Sequence, residues 1–174
     1  MKAYFVVLFI FCLFSCRKKE AQLPANKIET KSQIQSETLR TINQEMVLLE
    51  DSFLHGFISG QDSAFNKHDS GFYYKKLIEK TGETPKEHDE CLFKYSLCLI
   101  DGTVLENAQK NVTIGKKEIP VGLEEGLLLM REGEKAIFYL PSSIAYRMKG
   151  YEHLVPPYTS VRFEVELMKV KTTN

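Results

Sequence analysis

Among the residues of this sequence that could carry covalent chemistry are four cysteines. Cys91 and Cys98 lie in one apolar run, CLFKYSLCLI, that is typical of a β-strand. Seven strand residues span about 23 Å at ~3.3 Å each, far beyond the ~7 Å Cα separation that a disulfide permits. We therefore expect two free thiols packed as small apolar residues. A catalytic thiol is the less favoured alternative, because no histidine lies nearby in the sequence.

The four histidines give no indication of a metal site. His55, His68, His88 and His153 lack the spacing of metal ligands, and we expect them to be exposed, with His153 at most on the rim of a pocket. No metal and no cofactor is predicted. The formal net charge is zero, which does not favour a nucleic-acid partner.

A tyrosine-rich segment near the C-terminus directly precedes the last predicted strand. PSSIAYRMKGYEHLVPPYTSVRFEVEL, residues 141–167, runs from two tyrosines through a Pro-Pro step into an alternating strand. The polar tip of Tyr146 needs either water or a partner, so this residue is a stronger functional candidate than the aromatic residues of the strand. Aromatic residues on an alternating strand more often belong to a core.

The N-terminus predicts export. MKAYFVVLFIFCLFSC has a lysine and then an apolar run that is shorter than the ~20 residues of a membrane-spanning helix, so we interpret residues 1–15 as a signal peptide. Leu13-Phe14-Ser15-Cys16 resembles a bacterial lipobox, in which Cys16 would be lipidated. Residues 16–32 are polar and predict a flexible tether. The expected location is the cell envelope, lipid-anchored to a membrane and facing the periplasm.

An amphipathic helix is predicted within residues 33–58. Apolar residues recur there at intervals of three or four, and Gly60 would end the helix. These residues are Leu39, Ile42, Met46, Leu49, Phe53 and Phe57. Packing against the following domain is favoured, and a homodimer through residues 33–58 stays open. An aromatic strand, SGFYYKKLIE at residues 70–79, completes a segment that spans residues 33–85.

Residues 86–174 show the pattern of a second, strand-rich domain. Asp101-Gly102 is a hairpin signal after the first strand, and TVLENA and NVTIG follow as short strands or turns. VGLEEGLLLMREGE predicts the one helix, with Gly133 placed to cap its end. KAIFYLP predicts a buried strand, and SVRFEVELMKV predicts a half-buried last strand. The predicted fold class is α+β, a curved antiparallel sheet with a short helix across its face.

The order of these motifs resembles the FKBP-type peptidyl-prolyl cis-trans isomerase family. The resemblance covers roughly residues 86–171 and rests on YSLCLIDGTVLENA, IGKKEIPVGLEEGLLLM, PSSIAY and HLVPPYTSVRFEVELMKV. With the preceding helix, the SGFYY strand and the lipobox, the sequence is also similar to the FKBP-like lipoproteins associated with gliding motility in bacteria.

The resemblance implies an apolar pocket for a prolyl residue. Tyr146 would donate a hydrogen bond to the substrate carbonyl, and Tyr95 and Phe163 would share the catalytic role with it. The remaining implied pocket residues are Leu105, Glu106, Ile119, Pro120, Leu123, Leu154 and Val155. The implied activity is isomerisation of X-Pro bonds in proline-containing exported proteins.

Departures from the family pattern keep a second function open. Leu105 stands where an aromatic residue is usual, Glu106 where a shorter acid is usual, and Leu123 where tryptophan is frequent. Pro120 lacks the backbone N–H that the family offers to a ligand, and Arg147 replaces a common glycine. The alternative is an FKBP-like binding or assembly module of an envelope machine, with weak or no catalysis.

Overall fold

A computed structural model describes residues 31–61 and 65–172. The chain divides into two units, Met1–Thr38 and Leu39–Asn174. Only residues 31–38 of the first unit are described, and they form the start of a helix. The predicted signal peptide, Cys16 and most of the predicted tether lie outside the described residues. Within the described ranges, none of the helices is long and apolar enough to cross a membrane.

The N-terminal helix α1 runs from Lys31 to Ser59. Gly60 ends it and donates its backbone N–H to the carbonyl oxygens of Gly56 and Phe57, as the sequence predicts. The predicted apolar face, however, is mostly open to solvent, since Leu49 is 67% and Phe53 is 62% exposed.

The face of α1 that packs on the domain is rotated by one residue from the predicted face. Leu54 and Ile58 are buried, and Asn43 and Glu50 on the same side bond with the domain. Apolar periodicity does not predict this face, because two of its four contact residues, Asn43 and Glu50, are polar.

Six strands form one fully antiparallel sheet in the order β1-β2-β5-β6-β3-β4. Their bounds are Asn66–Lys67 for β1, Tyr73–Ile78 for β2, Glu90–Leu99 for β3, Val104–Thr113 for β4, Lys135–Leu140 for β5 and Val161–Lys171 for β6. The predicted α+β fold class is confirmed. The predicted division at residue 86 falls between β2 and β3, two strands of the same sheet within the unit Leu39–Asn174.

Strand β4 corrects one sequence-based expectation. TVLENA and NVTIG are not separate short strands, because Val104–Thr113 pairs continuously with β3 apart from one irregularity. Leu97 pairs with Glu106 while Cys98 pairs with Val104, which leaves Leu105 as the extra residue of a β-bulge.

Helix α2, Val121–Leu128, is shorter than predicted. Gly133 does not cap it, because the helix ends five residues earlier. Gly133 instead adopts a φ of 85° in the following turn, where its N–H donates to the Leu167 carbonyl. Met130 is still fully buried, as part of the turn that leads into β5.

The two faces of the sheet carry different cores. The main core lies on the α2 side and contains Phe138 together with Leu123 and Leu127 of α2. Tyr139, the next residue of β5, points to the opposite face and packs with Leu54 of α1. The sheet is therefore covered by a helix on each face. The sequence predicted α2 across the sheet and favoured packing of α1 on the domain, but it did not indicate which face α1 covers.

The cysteines and three of the histidines agree with the sequence analysis. Cys91 and Cys98 are free and buried in β3. His55, His88 and His153 are exposed. His68 was expected to be exposed but is partly buried, because its ring stacks on Phe72 with the ring centroids 4.4 Å apart.

Candidate functional site

The candidate site lies under the segment between β5 and β6, residues 141–160, which we call the pocket loop. The loop contains two short 3-10 turns, Ser142–Ile144 and Arg147–Lys149, and Tyr146 is placed between them. Beyond these turns, Tyr151 and Val155 exchange two backbone hydrogen bonds of 3.0 Å and close a tight reverse turn. The loop thus folds back on itself and carries both of its central tyrosines over the sheet.

Two backbone positions fix the path of this loop. Gly150 has a φ of 68°, and a Cβ there would collide with the Val155 carbonyl oxygen, so only glycine fits. Arg147 has a φ of 57°, the left-handed conformation that favours glycine. Arg147 thus occupies a conformation that a glycine would adopt without strain.

The predicted site residues come together in one region. Tyr95, Ile119, Leu123, Val155 and Phe163 belong to the main buried core, and Leu105, Tyr146 and Leu154 pack against it. Leu123, Val155 and Phe163 are at most 2% exposed and lie beneath the surface of the site.

A cavity of about 320 Å³ opens beside Tyr146. Three predicted residues, Ile119, Pro120 and Tyr146, line it. The remaining lining residues are Lys110, Glu118, Ala145 and Tyr151. Pro120 directly precedes α2 and has a φ of −52°. Its carbonyl oxygen accepts hydrogen bonds from the backbone N–H groups of Leu123 and Glu124.

An aromatic cluster forms the apolar part of the site. The rings of Tyr146 and Tyr151 stack with centroids 4.7 Å apart and an interplanar angle of 15°. Phe163 lies 6.4 Å from Tyr146 and 5.8 Å from Tyr95, measured between ring centroids. These spacings fall in the range of favourable aromatic pairs, so the rings support one another.

Tyr95 and Glu106 form a polar pair at the side of this cluster. The Tyr95 hydroxyl donates to Glu106 Oε2 at 3.1 Å. Tyr95 pairs directly with Ala108 in the sheet, so Glu106 is its diagonal neighbour on the same face. The Glu106 carboxylate thus holds the Tyr95 hydroxyl in place.

The tyrosine hydroxyls of the site stay protonated at neutral pH. Burial raises the pKa of Tyr146, and the neighbouring Tyr95, Tyr151 and Glu106 raise it further. Burial, followed by the Glu106 carboxylate, likewise raises the pKa of Tyr95. Within the described residues, no protein group is hydrogen-bonded to the Tyr146 hydroxyl. That hydroxyl can therefore donate to a bound ligand.

Sequence reasoning missed two contributors to the site. The sequence indicated no specific role for Tyr151, which lines the cavity and stacks on Tyr146. Lys110 lies with its Nζ 5.7 Å from the centre of the Tyr95 ring. Glu106, Ala108 and Lys110 share one face of β4, and this period of two would have found the lysine if β4 had been recognised as continuous.

Comparisons with known proteins agree on one family. The sequence model described as FKBP-type peptidyl-prolyl cis-trans isomerase matches residues 81–168. The chain is 36% identical over 104 residues to a probable FKBP-type peptidyl-prolyl cis-trans isomerase FkpA of Neisseria meningitidis, covering 58% of this chain and 38% of that protein. It is 32% identical over 111 residues to the FKBP-type 22 kDa peptidyl-prolyl cis-trans isomerase of Escherichia coli, covering 60% and 52%.

Solved structures share the fold. FkpA from Escherichia coli superposes with a TM-score of 0.64 at 23% identity, covering 100% of this chain and 84% of that one. A peptidyl-prolyl cis-trans isomerase from Pseudomonas syringae gives a TM-score of 0.65 at 23% identity, covering 75% and 96%. The chain spans only about two fifths to one half of the two curated relatives named above. Since the family model matches half of the sequence, and the sheet, α2 and the pocket loop follow the expected order, the chain belongs to the FKBP-type peptidyl-prolyl cis-trans isomerase family.

Proposed function

We propose that this chain catalyses the cis-trans isomerisation of X-Pro bonds in exported proteins. The observation that carries the proposal is the cavity beside Tyr146, where a protonated hydroxyl stands next to an aromatic cluster. The prolyl ring would enter this cavity, and Tyr146 would donate to the carbonyl of the substrate.

The chemistry needs no nucleophile. Rotation about a peptide bond has a barrier of about 18–20 kcal/mol because resonance gives the C–N bond partial double-bond character. Twisting that bond removes the resonance, so the transition state is less polar than either planar isomer. An apolar site that excludes water, with one donor for the twisted carbonyl, favours the transition state over the ground states.

Each predicted residue then has a distinct part in the proposal. Phe163, Leu123 and Val155 do not line the cavity, and they would support its walls from the buried core. Tyr95 is held by Glu106 and supports the ring of Phe163. Leu105 and Leu154 are partly buried against the same core and would add apolar surface near the cavity.

Pro120 favours the second candidate, a binding or assembly module. It lines the cavity but has no N–H to offer a bound peptide. One missing neutral hydrogen bond is worth about 0.5–1.5 kcal/mol, at most about tenfold in rate. This loss predicts slower turnover and does not by itself remove catalysis.

The deciding experiment measures isomerisation of an X-Pro peptide by the lipid-free form, residues 17–174. Tyr146→Phe should lower kcat/KM by about two- to tenfold, because it removes one donor. Tyr139→Phe is the matched control, since Tyr139 lies on the opposite face of the sheet. Background turnover in a folded wild type that still binds proline peptides would establish the binding module instead.

A companion variant tests the role of Pro120. Pro120→Val restores a backbone N–H at the cavity wall and should raise kcat/KM by up to about tenfold. An unchanged rate in the folded variant would show that this position does not contact the substrate.

We also propose that the protein acts at a membrane surface, attached through lipidated Cys16 and facing the periplasm. The sequence of residues 1–16 is the support for this attachment. Radiolabelled acyl-chain incorporation that is lost in Cys16→Ser would test it.

A homodimer through residues 33–58 is a further proposal. The support is the exposed apolar side of α1, where Leu49 and Phe53 are about two-thirds exposed. Sedimentation of the lipid-free form should show a dimer that Leu49→Ser with Phe53→Ser dissociates. A monomer at all concentrations would exclude the dimer.

A further inference from the structure

Helix α1 contacts both ends of the pocket loop. The loop leaves β5 at residue 141 and enters β6 after residue 160. Ser142 lies at the first end and Ser160 at the second, and the two side chains are 1% and 5% exposed. Both serines bond to the same side chain of α1, the carboxylate of Glu50.

Glu50 accepts three hydrogen bonds at this junction. The backbone N–H of Ser142 donates to Oε1 at 2.6 Å, and the Ser160 hydroxyl donates to the same oxygen at 2.6 Å. The Ser142 hydroxyl donates to Oε2. Hydrogen bonds to a carboxylate are about twice as strong as neutral ones, so one side chain ties both ends of the loop to α1.

Asn43 adds a second contact two turns earlier in α1. Its Oδ1 accepts the hydroxyl proton of Tyr158. The Tyr158 N–H in turn donates to the Arg147 carbonyl at 3.2 Å, and Arg147 directly follows Tyr146. A chain of contacts therefore connects α1 with the residue that we propose as the donor to substrate.

The loop needs such external contacts because its backbone is strained. Arg147, Glu152 and Tyr158 all have a positive φ, of 57°, 48° and 53°, although none of them is glycine. Residues in this conformation persist only where surrounding contacts hold them. Leu54 and Ile58 are buried against the sheet on the same side of α1 as Glu50, so the helix offers a fixed base for these contacts.

We propose that Glu50, assisted by Asn43, is a positioning residue that holds the pocket loop in its closed path over the cavity. The proposal rests on the isomerase function proposed above, in which the loop carries Tyr146. Under this proposal α1 is part of the catalytic unit. The side of α1 that carries Asn43 and Glu50 positions the loop, and this role does not depend on the exposed apolar side that carries Leu49 and Phe53.

The test compares Glu50→Ala with Glu45→Ala in the lipid-free form. Glu45 is an exposed carboxylate of the same helix and serves as the matched control. In Glu50→Ala we expect kcat/KM for an X-Pro peptide to fall by about tenfold, because a charged acceptor of three donors is lost. Glu50→Gln keeps the length and one acceptor oxygen, and should recover part of this loss.

Hydrogen exchange separates positioning from general destabilisation. In Glu50→Ala, amides of residues 142–160 should exchange faster while those of β3, Glu90–Leu99, keep the wild-type rate. Faster exchange in loop and sheet alike, with kcat/KM unchanged per folded molecule, would overturn the proposal.

A double-mutant cycle tests whether Glu50 acts through the loop. Ser160→Ala removes one of its partners, so Glu50→Ala should lower kcat/KM by a smaller factor in that background. Equal factors in both backgrounds would overturn the assigned route. If the wild type has no activity but the loop of Glu50→Ala still exchanges faster, the isomerase function fails and the positioning of the loop stands.

Discussion

Two glycine-to-alanine substitutions in the two helices should change stability in opposite directions. Gly126 lies in α2, where an added Cβ would be 2.8 Å from Cε1 and 3.0 Å from Cδ1 of Phe138. Gly56 lies in α1, where an added Cβ would meet nothing within 4 Å. The pair tests whether residue 126 must be glycine because α2 packs closely on the Phe138 ring of the sheet.

The magnitudes follow from helix propensity and packing. Alanine is favoured over glycine in a helix by about 1 kcal/mol, and this gain applies at both positions. At Gly126 the ring of Phe138 cannot move away, because Phe72 packs on it edge-on and Tyr74 stacks against it. Overpacking of a filled core costs about 1–3 kcal/mol. Because the added Cβ at Gly126 would lie only 2.8 Å from Phe138 Cε1, we place its cost in the upper part of that range, at about 2–3 kcal/mol. After the propensity gain is subtracted, Gly126→Ala should lower the free energy of unfolding by about 1–2 kcal/mol, whereas Gly56→Ala should raise it by about 0.5–1 kcal/mol.

Urea unfolding followed by circular dichroism measures both changes. The midpoints should move in opposite directions at an unchanged slope, and the melting temperatures should shift by about 2–4 °C per kcal/mol. The chain has no tryptophan, so tyrosine fluorescence supplies the second probe for the two-state test. A Gly126→Ala protein as stable as wild type would refute the reasoning, because it would show that α2 and Phe138 can separate without cost.

Three further predictions concern titration, strain and thiol chemistry. The raised pKa of Tyr146 keeps its hydroxyl protonated to higher pH. The pH profile of kcat/KM should therefore be flat between about pH 6 and 9 and fall only at more alkaline pH. A fall in kcat/KM with a midpoint below about pH 9 would contradict the proposed role of the protonated hydroxyl. Arg147→Gly should raise the free energy of unfolding by about 1 kcal/mol in urea titration, since glycine adopts the positive φ without strain, and a less stable variant would show that the Arg147 side chain stabilises the loop. Burial, aided by the Asp89 carboxylate, raises the pKa of the Cys91 thiol to about 11, so a thiol reagent at pH 8 should label Cys91 only after unfolding; rapid labelling of the native protein would count against the buried thiol.

Strand identity and much of the site region could be predicted because their signals are local. Val161, Phe163 and Val165 alternate on β6, and a period of two assigns them to one face without knowledge of the partners. Tyr146 stood out because a tyrosine hydroxyl needs a partner. Family resemblance then placed residues from distant parts of the sequence in a single region.

The features that sequence reasoning missed depend on contacts between distant residues. The packed side of α1 includes Glu50, whose partners Ser142 and Ser160 are about a hundred residues away. Hydrophobic spacing cannot identify a helix face that is partly held by hydrogen bonds. The continuity of β4 was missed for a similar reason, since its outward residues are polar and its bulge at Leu105 interrupts the pattern.

The outermost strands of the described sheet bear on how the protein avoids aggregation. An open strand edge recruits other extended chains by adding them to the sheet, and a protein that acts on incompletely folded chains would meet many of them. At one end β1 is only two residues long, which gives an incoming chain almost no template. At the other end, β4 is interrupted by a bulge. Lys110 lies on the same face of the sheet as Tyr95, and the opposite face of β4 carries Asn107, Gln109 and Asn111. Neither outer strand of the described sheet therefore offers an uninterrupted template to an extended chain, and the edges would compete little with the cavity for the substrates proposed above.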